Sequence, residues 1–364
     1  MMTDQRDLPA PRRERLLELL RQRGSARVTD LASWLDVNAV TVRRDLARLE
    51  SDGLIERTHG GASIPSALSL SQPSLAGSDL MSEGQVAMLA PGLDFYWPEV
   101  ARGAEARARQ LGLRLMLRGH SYESVDERPA LAPLFEAEDV RGVIAVPNTK
   151  GPHAEEVMAW LAAQPVPSVL VEREAQLGPT GEPVESVVTD HALGAAMAVW
   201  HLWQLGHRRL GLVVSPTSPT TSKIKVGWQR TCDELTAENA FAVHIPDHRT
   251  PGFAAALEEI IDRCDELGTT GLLVHSDREA MGLLQQLESR GRRVPDDISI
   301  VAYDDELAGL FTPALTAVRP ARQALGAAAV DLLLARFEDP DRPVHRIIIS
   351  PQLSIRESTA AVDD

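Results

Sequence analysis

Seven short apolar runs recur through the last three quarters of the 364-residue chain: "VAMLA" (86–90), "LRLML" (113–117), "GVIAV" (142–146), "SVLVE" (168–172), "RLGLVV" (209–214), "GLLVH" (271–275) and "ISIVAY" (298–303). Longer helical patterns separate many of them. Runs apolar on both faces suit strands buried on both faces, and the strand–helix rhythm predicts a doubly wound α/β architecture with parallel sheets. About 280 residues take part, enough for two such lobes rather than one sheet.

The chain opens differently. "PRRERLLELLRQRG" sets Leu16, Leu17, Leu19 and Leu20 on one stripe and stops at Gly24. "VTDLASWLDV" reads as a second helix with Thr29 as its N-cap and Leu31, Ala32 and Leu35 turned inward. A tight turn leads to a third helix, capped by Asn38 and ending before Gly53. "LIERTHGGASI" alternates like a strand, breaks at Gly60-Gly61 and can return as a second one. The Ser-, Pro- and Gly-rich stretch after it, to about Gly84, reads as a linker.

Charge is unevenly divided between these parts. Residues 1–60 hold 11 Arg against 10 acids, a net of +1, while the remainder carries −16, for a total of −15. An acidic body repels phosphate, so any contact with nucleic acid must be local and well aimed. Cys232 and Cys264 show no metal-ligand spacing and read as a reduced, buried pair. Acids and Pro interrupt the N-terminal stretch where a signal peptide needs an apolar run, and no apolar stretch reaches membrane-spanning length. The expectation is a cytoplasmic protein with no membrane contact.

The third helix carries the main functional signal. At 100° per residue, Val42, Leu46 and Leu49 share a narrow sector that must face the other helices. Arg44 and Val40 lie opposite, flanked by Thr41, Ala47 and Arg48, with Arg43 to one side. Guanidinium groups can pair with guanine or clamp phosphate, and Val or Thr methyls can meet a thymine methyl, so the face suits a major groove. The following hairpin would be a wing that brings Arg57, Thr58 and His59 to the backbone or minor groove. Together the candidate DNA contacts are Asn38, Val40, Thr41, Arg43, Arg44, Arg48, Arg57, Thr58 and His59.

The passage "VTDLASWLDVNAVTVRRDLARLESDGLIERTHGGA" closely resembles the DeoR-type winged helix-turn-helix over roughly residues 12–63: the TVRRDL core, the LxxLExxGLIxR continuation and the HGGA wing tip all match. Asn38 stands where that pattern commonly has Ser. Three later blocks, "VVTDHALGAAMAVWHLWQLGHRRLGLV" (187–213), "VPDDISIVAYDDELAGLFTPALTAVRP" (294–320) and "PQLSIRES" (351–358), resemble the sensor of LacI/GalR-type repressors, itself similar to periplasmic sugar-binding proteins. The combined resemblance implies a DNA-binding domain over 1–63, a linker over 64–84 and a sensor over 85–364. The sensor's lobes would be 85–189 with 318–343, and 190–317 with 344–360. It further implies a homodimer on double-stranded operator DNA and a small effector, a sugar or sugar derivative, between the lobes.

Neutral polyols are held by carboxylates that accept hydroxyl protons and by an aromatic ring on the sugar face. Asp190 and Asp304 follow strands, where open α/β sheets bind ligands, and match acidic ligand-contact positions of the sensor pattern. Tyr96 and Trp97 are the stacking candidates just past the first strand, and Arg173, after "SVLVE", is a further cleft candidate. Trp228 belongs to the Gly-aromatic pair of the pattern, while Ser276-Asp277 replaces its usual Asn-Asp. The Arg that commonly precedes that Gly-aromatic pair is Ile224 here. Lys223 and Lys225 flank the gap; either one of them restores the charge and favours an anionic ligand such as a phosphorylated or acidic sugar, or both are exposed helix residues. No nucleophile elbow, phosphate-cradling loop, metal set or cofactor motif is evident, and no enzyme activity is expected. The expected function is a ligand-responsive transcription regulator, more often a repressor by family analogy. The alternatives are a regulator with a silent sensor, or a cytosolic sugar-binding protein whose N-terminal domain serves protein contacts.

Overall fold

The computed structural model of the chain describes residues 15–16, 19–20, 25–35, 37–51, 55–58, 61–63, 84–92, 96–121 and 124–362. The chain divides into two compact units, Met1–Ser78 and Asp79–Asp364. Of the expected linker, only Gly84 is among the described residues, and Leu17 and Gly24 also lie outside them.

In the first unit, helices Val28–Leu35 and Ala39–Ser51 pack beside a three-stranded antiparallel sheet. The hairpin pairs Glu56–Thr58 with Gly61–Ser63, and Ser25–Arg27 adds to the far side of Gly61–Ser63. Leu16, Leu20, Leu31, Val42, Leu46, Leu49, Ile55 and Ala62 form one core. The periodicity thus located the hairpin but not the strand Ser25–Arg27, which is too short to show alternation. That strand also moves the helix start. Val28 is helical, so Thr29 lies in the first turn, and its hydroxyl donates to Asp30 Oδ1 at 3.3 Å instead of capping.

The second unit holds two six-stranded sheets. The first runs, in spatial order, Arg346–Ile349, Ser186–Thr189, Ser168–Val171, Val140–Ala145, Gln85–Pro91 and Arg114–His120, all parallel. The second runs Glu238–His244, Arg209–Val214, Gly271–Val274, Ser299–Tyr303, Thr316–Arg319 and Gln352–Ser354, antiparallel only at the last pair. Strand Gln85–Pro91 shows why its run is wholly apolar. Val86, Met88 and Ala90 enter the core on one face, while Ala87 and Leu89 enter the other. Edge strands Glu238–His244 and Arg346–Ile349 are partly exposed along their length, although residues 240–243 and 347–349 are apolar.

The chain passes between lobes after Thr189, after Arg319 and after Ile349. Residues 344–349, expected in the second lobe, instead close the first sheet, because Arg346–Ile349 pairs with Ser186–Thr189. Residues 352–354 then pair with Thr316–Arg319 in the second sheet.

Helices Tyr96–Gln110 and Arg322–Glu338 cover one face of the first sheet and touch at backbone distance. A Cβ on Gly326 would lie 1.9 Å from Val100 O, and one on Gly103 would lie 1.9 Å from Gln323 O. Gly326→Ala is therefore expected to destabilise the protein by at least about 1–3 kcal/mol, the usual cost of overpacking. Urea unfolding of the variant checks this, and wild-type stability would mean the helices separate without cost.

Candidate functional site

The helix Ala39–Ser51 starts at a formed cap: Asn38 Oδ1 accepts from Thr41 N at 2.8 Å and from Thr41 Oγ1 at 2.9 Å. Val42, Leu46 and Leu49 are buried, and Asp45 is buried among them. Arg43 and Arg44 are exposed, and Val40 is 71% exposed. Thr41 is half-buried with its hydroxyl engaged in the cap. The helix thus presents two guanidinium groups and an apolar methyl pair on the face turned from its core. The side chains of Arg48, Arg57 and Thr58, and the whole of His59, lie outside the described residues; the backbone of Arg57 and Thr58 forms the hairpin.

The second unit contains a cleft of about 490 Å³ between its lobes. From the first lobe, Pro91, His120, Val146 and Arg173 line it, each at or just beyond the C-terminal end of a parallel strand. Asn148 and Lys150 stand on the loop that follows Val140–Ala145. The second lobe contributes Pro216, Ser218, Thr221, Ser222 and Lys225 from the loop after Arg209–Val214 and the helix Thr221–Leu235. Lys150 Nζ reaches Ser222 Oγ across the cleft at 3.4 Å, and Lys225 Nζ lies 3.0 Å from His244 Nε2. Glu127 is buried and its carboxylate accepts from Asn148 N at 3.0 Å. The strand-end rule, applied to every strand, also marks His120, Asn148, Lys150 and Ser218, beside the expected Arg173 and Lys225.

Behind the cleft a buried polar network joins the lobes. The Glu172 carboxylate accepts from the Tyr96 hydroxyl, from Thr189 N at 3.2 Å and Thr189 Oγ1 at 2.5 Å, and pairs with His191 Nε2 at 3.1 Å. His191 Nδ1 lies 3.0 Å from the Tyr303 hydroxyl. Burial alone would raise the Glu172 pKa, yet His191, Thr189 and Tyr96 outweigh it and hold the carboxyl at about 2. Glu172, His191, Tyr303 and Arg322 went unremarked as site residues in the sequence, since positions so far apart show no shared spacing.

Several expected ligand contacts have other occupations. Trp97 is only 3% exposed in the first-lobe core and Trp228 only 1% in the second-lobe core, so neither presents a ring to a ligand. Trp228 Nε1 donates to Asn239 Oδ1 at 3.1 Å. The Tyr96 hydroxyl is held by Glu172, and the Arg322 guanidinium sits 5.6 Å over its ring. Asp190 caps the helix His191–Gln204 by accepting from Leu193 N at 2.9 Å. Ser276 donates both its N–H and its hydroxyl to Glu279 at the start of helix Asp277–Ser289. Asp277 Oδ2 accepts from the N–H groups of Glu306, Leu307 and Ala308 at 2.7, 2.7 and 3.0 Å. Asp304 stands at the end of Ser299–Tyr303 with φ 94°, its carboxylate 3.8 Å from His275 Nε2, and does not line the cleft described above.

Asp277, Asp304 and Glu306 crowd together. Burial pushes Asp277 and Asp304 up to about 6. Burial, then the charge of Asp304, pushes Glu306 up to about 8. Burial lowers His275 to about 4. A carboxyl whose folded pKa is raised contributes stability at low pH and loses it as pH rises through that value. His275 acts oppositely, but only below its ordinary value near 6.5. Between pH 6.5 and 8, Glu306 remains, so stability is expected to fall across that range and Glu306→Gln to flatten the fall. Urea midpoints at several pH values check this; equal slopes in both proteins would show Glu306 ionised throughout.

Cys232 and Cys264 are free and buried, and burial pushes both thiols up to about 12, which leaves them unreactive. No helix among the described residues is long and apolar enough to cross a membrane.

The chain resembles known proteins in both units. A DeoR-like helix-turn-helix domain matches residues 12–67, and a periplasmic binding protein-like domain matches residues 199–359. The HTH-type transcriptional regulator MalR of Streptomyces coelicolor is 30% identical over 298 residues, spanning 77% of this chain and 82% of MalR. The crystal structure of a LacI transcriptional regulator from a Rhodococcus species superposes with a TM-score of 0.64 at 25% identity, over 76% of this chain and 99% of that one. The transcriptional regulator CelR in complex with cellobiose superposes with a TM-score of 0.64 at 20% identity, over 88% and 91%. With an arginine-bearing helix-turn-helix in one unit and a two-lobed, doubly wound sensor in the other, the chain belongs to the LacI family of HTH-type transcriptional regulators, with a DeoR-like reader at its N-terminal end.

Proposed function

We propose that the protein is a ligand-responsive repressor that binds an operator in double-stranded DNA as a homodimer in the cytoplasm and answers to a small sugar-like effector in the interlobe cleft. Residues 1–63 serve as reader, 64–84 as linker and 85–364 as sensor. The observation that carries the reading is the exposed Arg43–Arg44 pair beside Val40, opposite the buried Val42, Leu46 and Leu49. A partner helix would need an apolar surface where those guanidinium groups stand. Dimer symmetry would set half-sites about 34–36 Å apart, or multiples of that. The similar CelR structure holds cellobiose, and a cleft of about 490 Å³ lies within the roughly 300–1,000 Å³ of small-molecule sites. An effector would bias the lobes between arrangements and so change operator affinity.

A second reading has two observations in its favour. Ile224 is fully buried where the family pattern commonly has Arg, and Glu172 is satisfied internally, so the sensor could be silent. Fluorescence anisotropy on the DNA upstream of its own gene, with a panel of sugars, polyols and sugar acids, decides between them. Tight, salt-sensitive binding released by one compound supports the responsive repressor. Tight binding that no compound alters supports the silent sensor, and no preference over random DNA at any site tested ends the operator reading.

A further inference from the structure

The chain uses arginine almost exclusively: it has 34 Arg and only three Lys, at 150, 223 and 225. Two of the three, Lys150 and Lys225, line the interlobe cleft from opposite lobes, and Lys223 pairs with Glu174 beside it. Lys150 and Lys225 have hydroxyl and imidazole neighbours, Ser222 and His244, rather than a carboxylate. The Arg173 guanidinium lines the same space, with one of its nitrogens donating to Glu172 O at 2.9 Å, as does the His120 ring. Glu127 is the one acid of the lining, and it is committed to Asn148 N. Three fixed cations therefore face one engaged carboxylate, inside a protein whose net charge is −15.

That lining is richer in cationic donors than in carboxylate acceptors, which suits an oxyanion better than an uncharged polyol. Sugar hydroxyls need acceptors, yet the Glu172 carboxylate that could serve is taken up by Tyr96, Thr189 and His191. What the cleft offers instead is donors: ammonium and guanidinium groups, the hydroxyls of Ser218 and Ser222, and the N-terminus of the 15-residue helix Thr221–Leu235. Low-dielectric walls strengthen each of these toward a negative charge.

We propose that the effector is a small polyol bearing an oxyanion, a phosphomonoester or a carboxylate, and that Lys150 and Lys225 close on that group from the two lobes. The proposal rests on the cleft being the effector site. Since each lysine belongs to a different lobe, the anion bridges them and favours the closed arrangement.

Thermal unfolding and titration calorimetry of the full chain test it, with sodium phosphate against sodium chloride at matched ionic strength, and with glucose, gluconate and glucose 6-phosphate. The same measurements are made on Lys150→Gln/Lys225→Gln, whose unliganded unfolding temperature shows that it is folded. Saturable stabilisation by phosphate beyond that of chloride is expected, with affinity falling at least tenfold in the double variant. Tighter binding of glucose 6-phosphate than gluconate assigns a phosphomonoester, and the reverse a carboxylate. No stabilisation by phosphate, gluconate or glucose 6-phosphate beyond that of chloride, or one that the double variant retains, overturns the proposal. Equal binding of glucose by both proteins, lost on obstructing the cleft with Ser218→Trp, overturns the charge requirement while leaving the cleft as effector site. Ligand binding that Ser218→Trp leaves intact overturns the cleft itself.

Discussion

Replacing Arg43 and Arg44 together by alanine is expected to weaken operator binding by about 2–6 kcal/mol, between one and four orders of magnitude. Both side chains are exposed on the helix Ala39–Ser51, so their loss leaves the core of Val42, Leu46 and Leu49 intact and the unfolding temperature near that of the parent. The single variants separate two roles. An arginine that pairs with guanine loses discrimination at one base position when removed. One that touches only phosphate lowers affinity evenly across sequences and reduces the salt slope by about one. Anisotropy titrations at two salt concentrations make the measurement. Affinity unchanged within twofold in the double variant would remove this face of the helix from the DNA.

Glu172→Ala is expected to cost about 3 kcal/mol of folding stability, as leaving several buried donors without a charged acceptor does. The carboxylate gathers the Tyr96 hydroxyl, both Thr189 donors and His191, and its side chain is only 3% exposed. Removing it leaves those buried donors without their acceptor. Tyr96 and Thr189 belong to the first lobe, whereas His191 opens the second-lobe helix and touches Tyr303, so the variant should also loosen the lobes. The pH dependence follows from the depressed carboxyl. Its contribution is full above the ordinary value of 4.5 and is lost as pH falls towards about 2. Glu172→Gln should therefore abolish part of the acid destabilisation between those values. Urea unfolding at pH 7 and along an acid series tests both statements. A loss below about 1 kcal/mol would mean that the pocket relaxes or admits water around the orphaned groups.

How much of this was legible before the fold depended on the range of the interactions. Val42, Leu46 and Leu49 had to face inward and Arg43 and Arg44 outward because helical periodicity is a local property. The Asn38 cap is equally local, spanning three residues. Most strands buried on both faces announced themselves as apolar runs, while the three isoleucines of the short edge strand Arg346–Ile349 did not say which sheet it joins. That omission shifted the last lobe crossing from 343 to about 350.

The site was less legible for a related reason. Trp97 stands out as a scarce aromatic just past a strand and Trp228 as half of the sensor pattern's Gly-aromatic pair, but neither signal says which face of a helix the ring occupies, and both fill cores. Asp190, Ser276 and Asp277 sit at helix starts, where a capping role and a ligand role need the same residue types. The sequence by itself determined the class of the two units, the buried stripe of the reading helix and seven strands of the sensor, because each rests on neighbours in the chain. Only the tertiary structure decided that Glu172, Thr189, His191 and Tyr303 share one buried network, and that Lys150 and Lys225 face each other across a cleft. Lys150 and Lys225 stand 75 positions apart and His191 and Tyr303 stand 112 apart, and only the packing of two sheets brings them together.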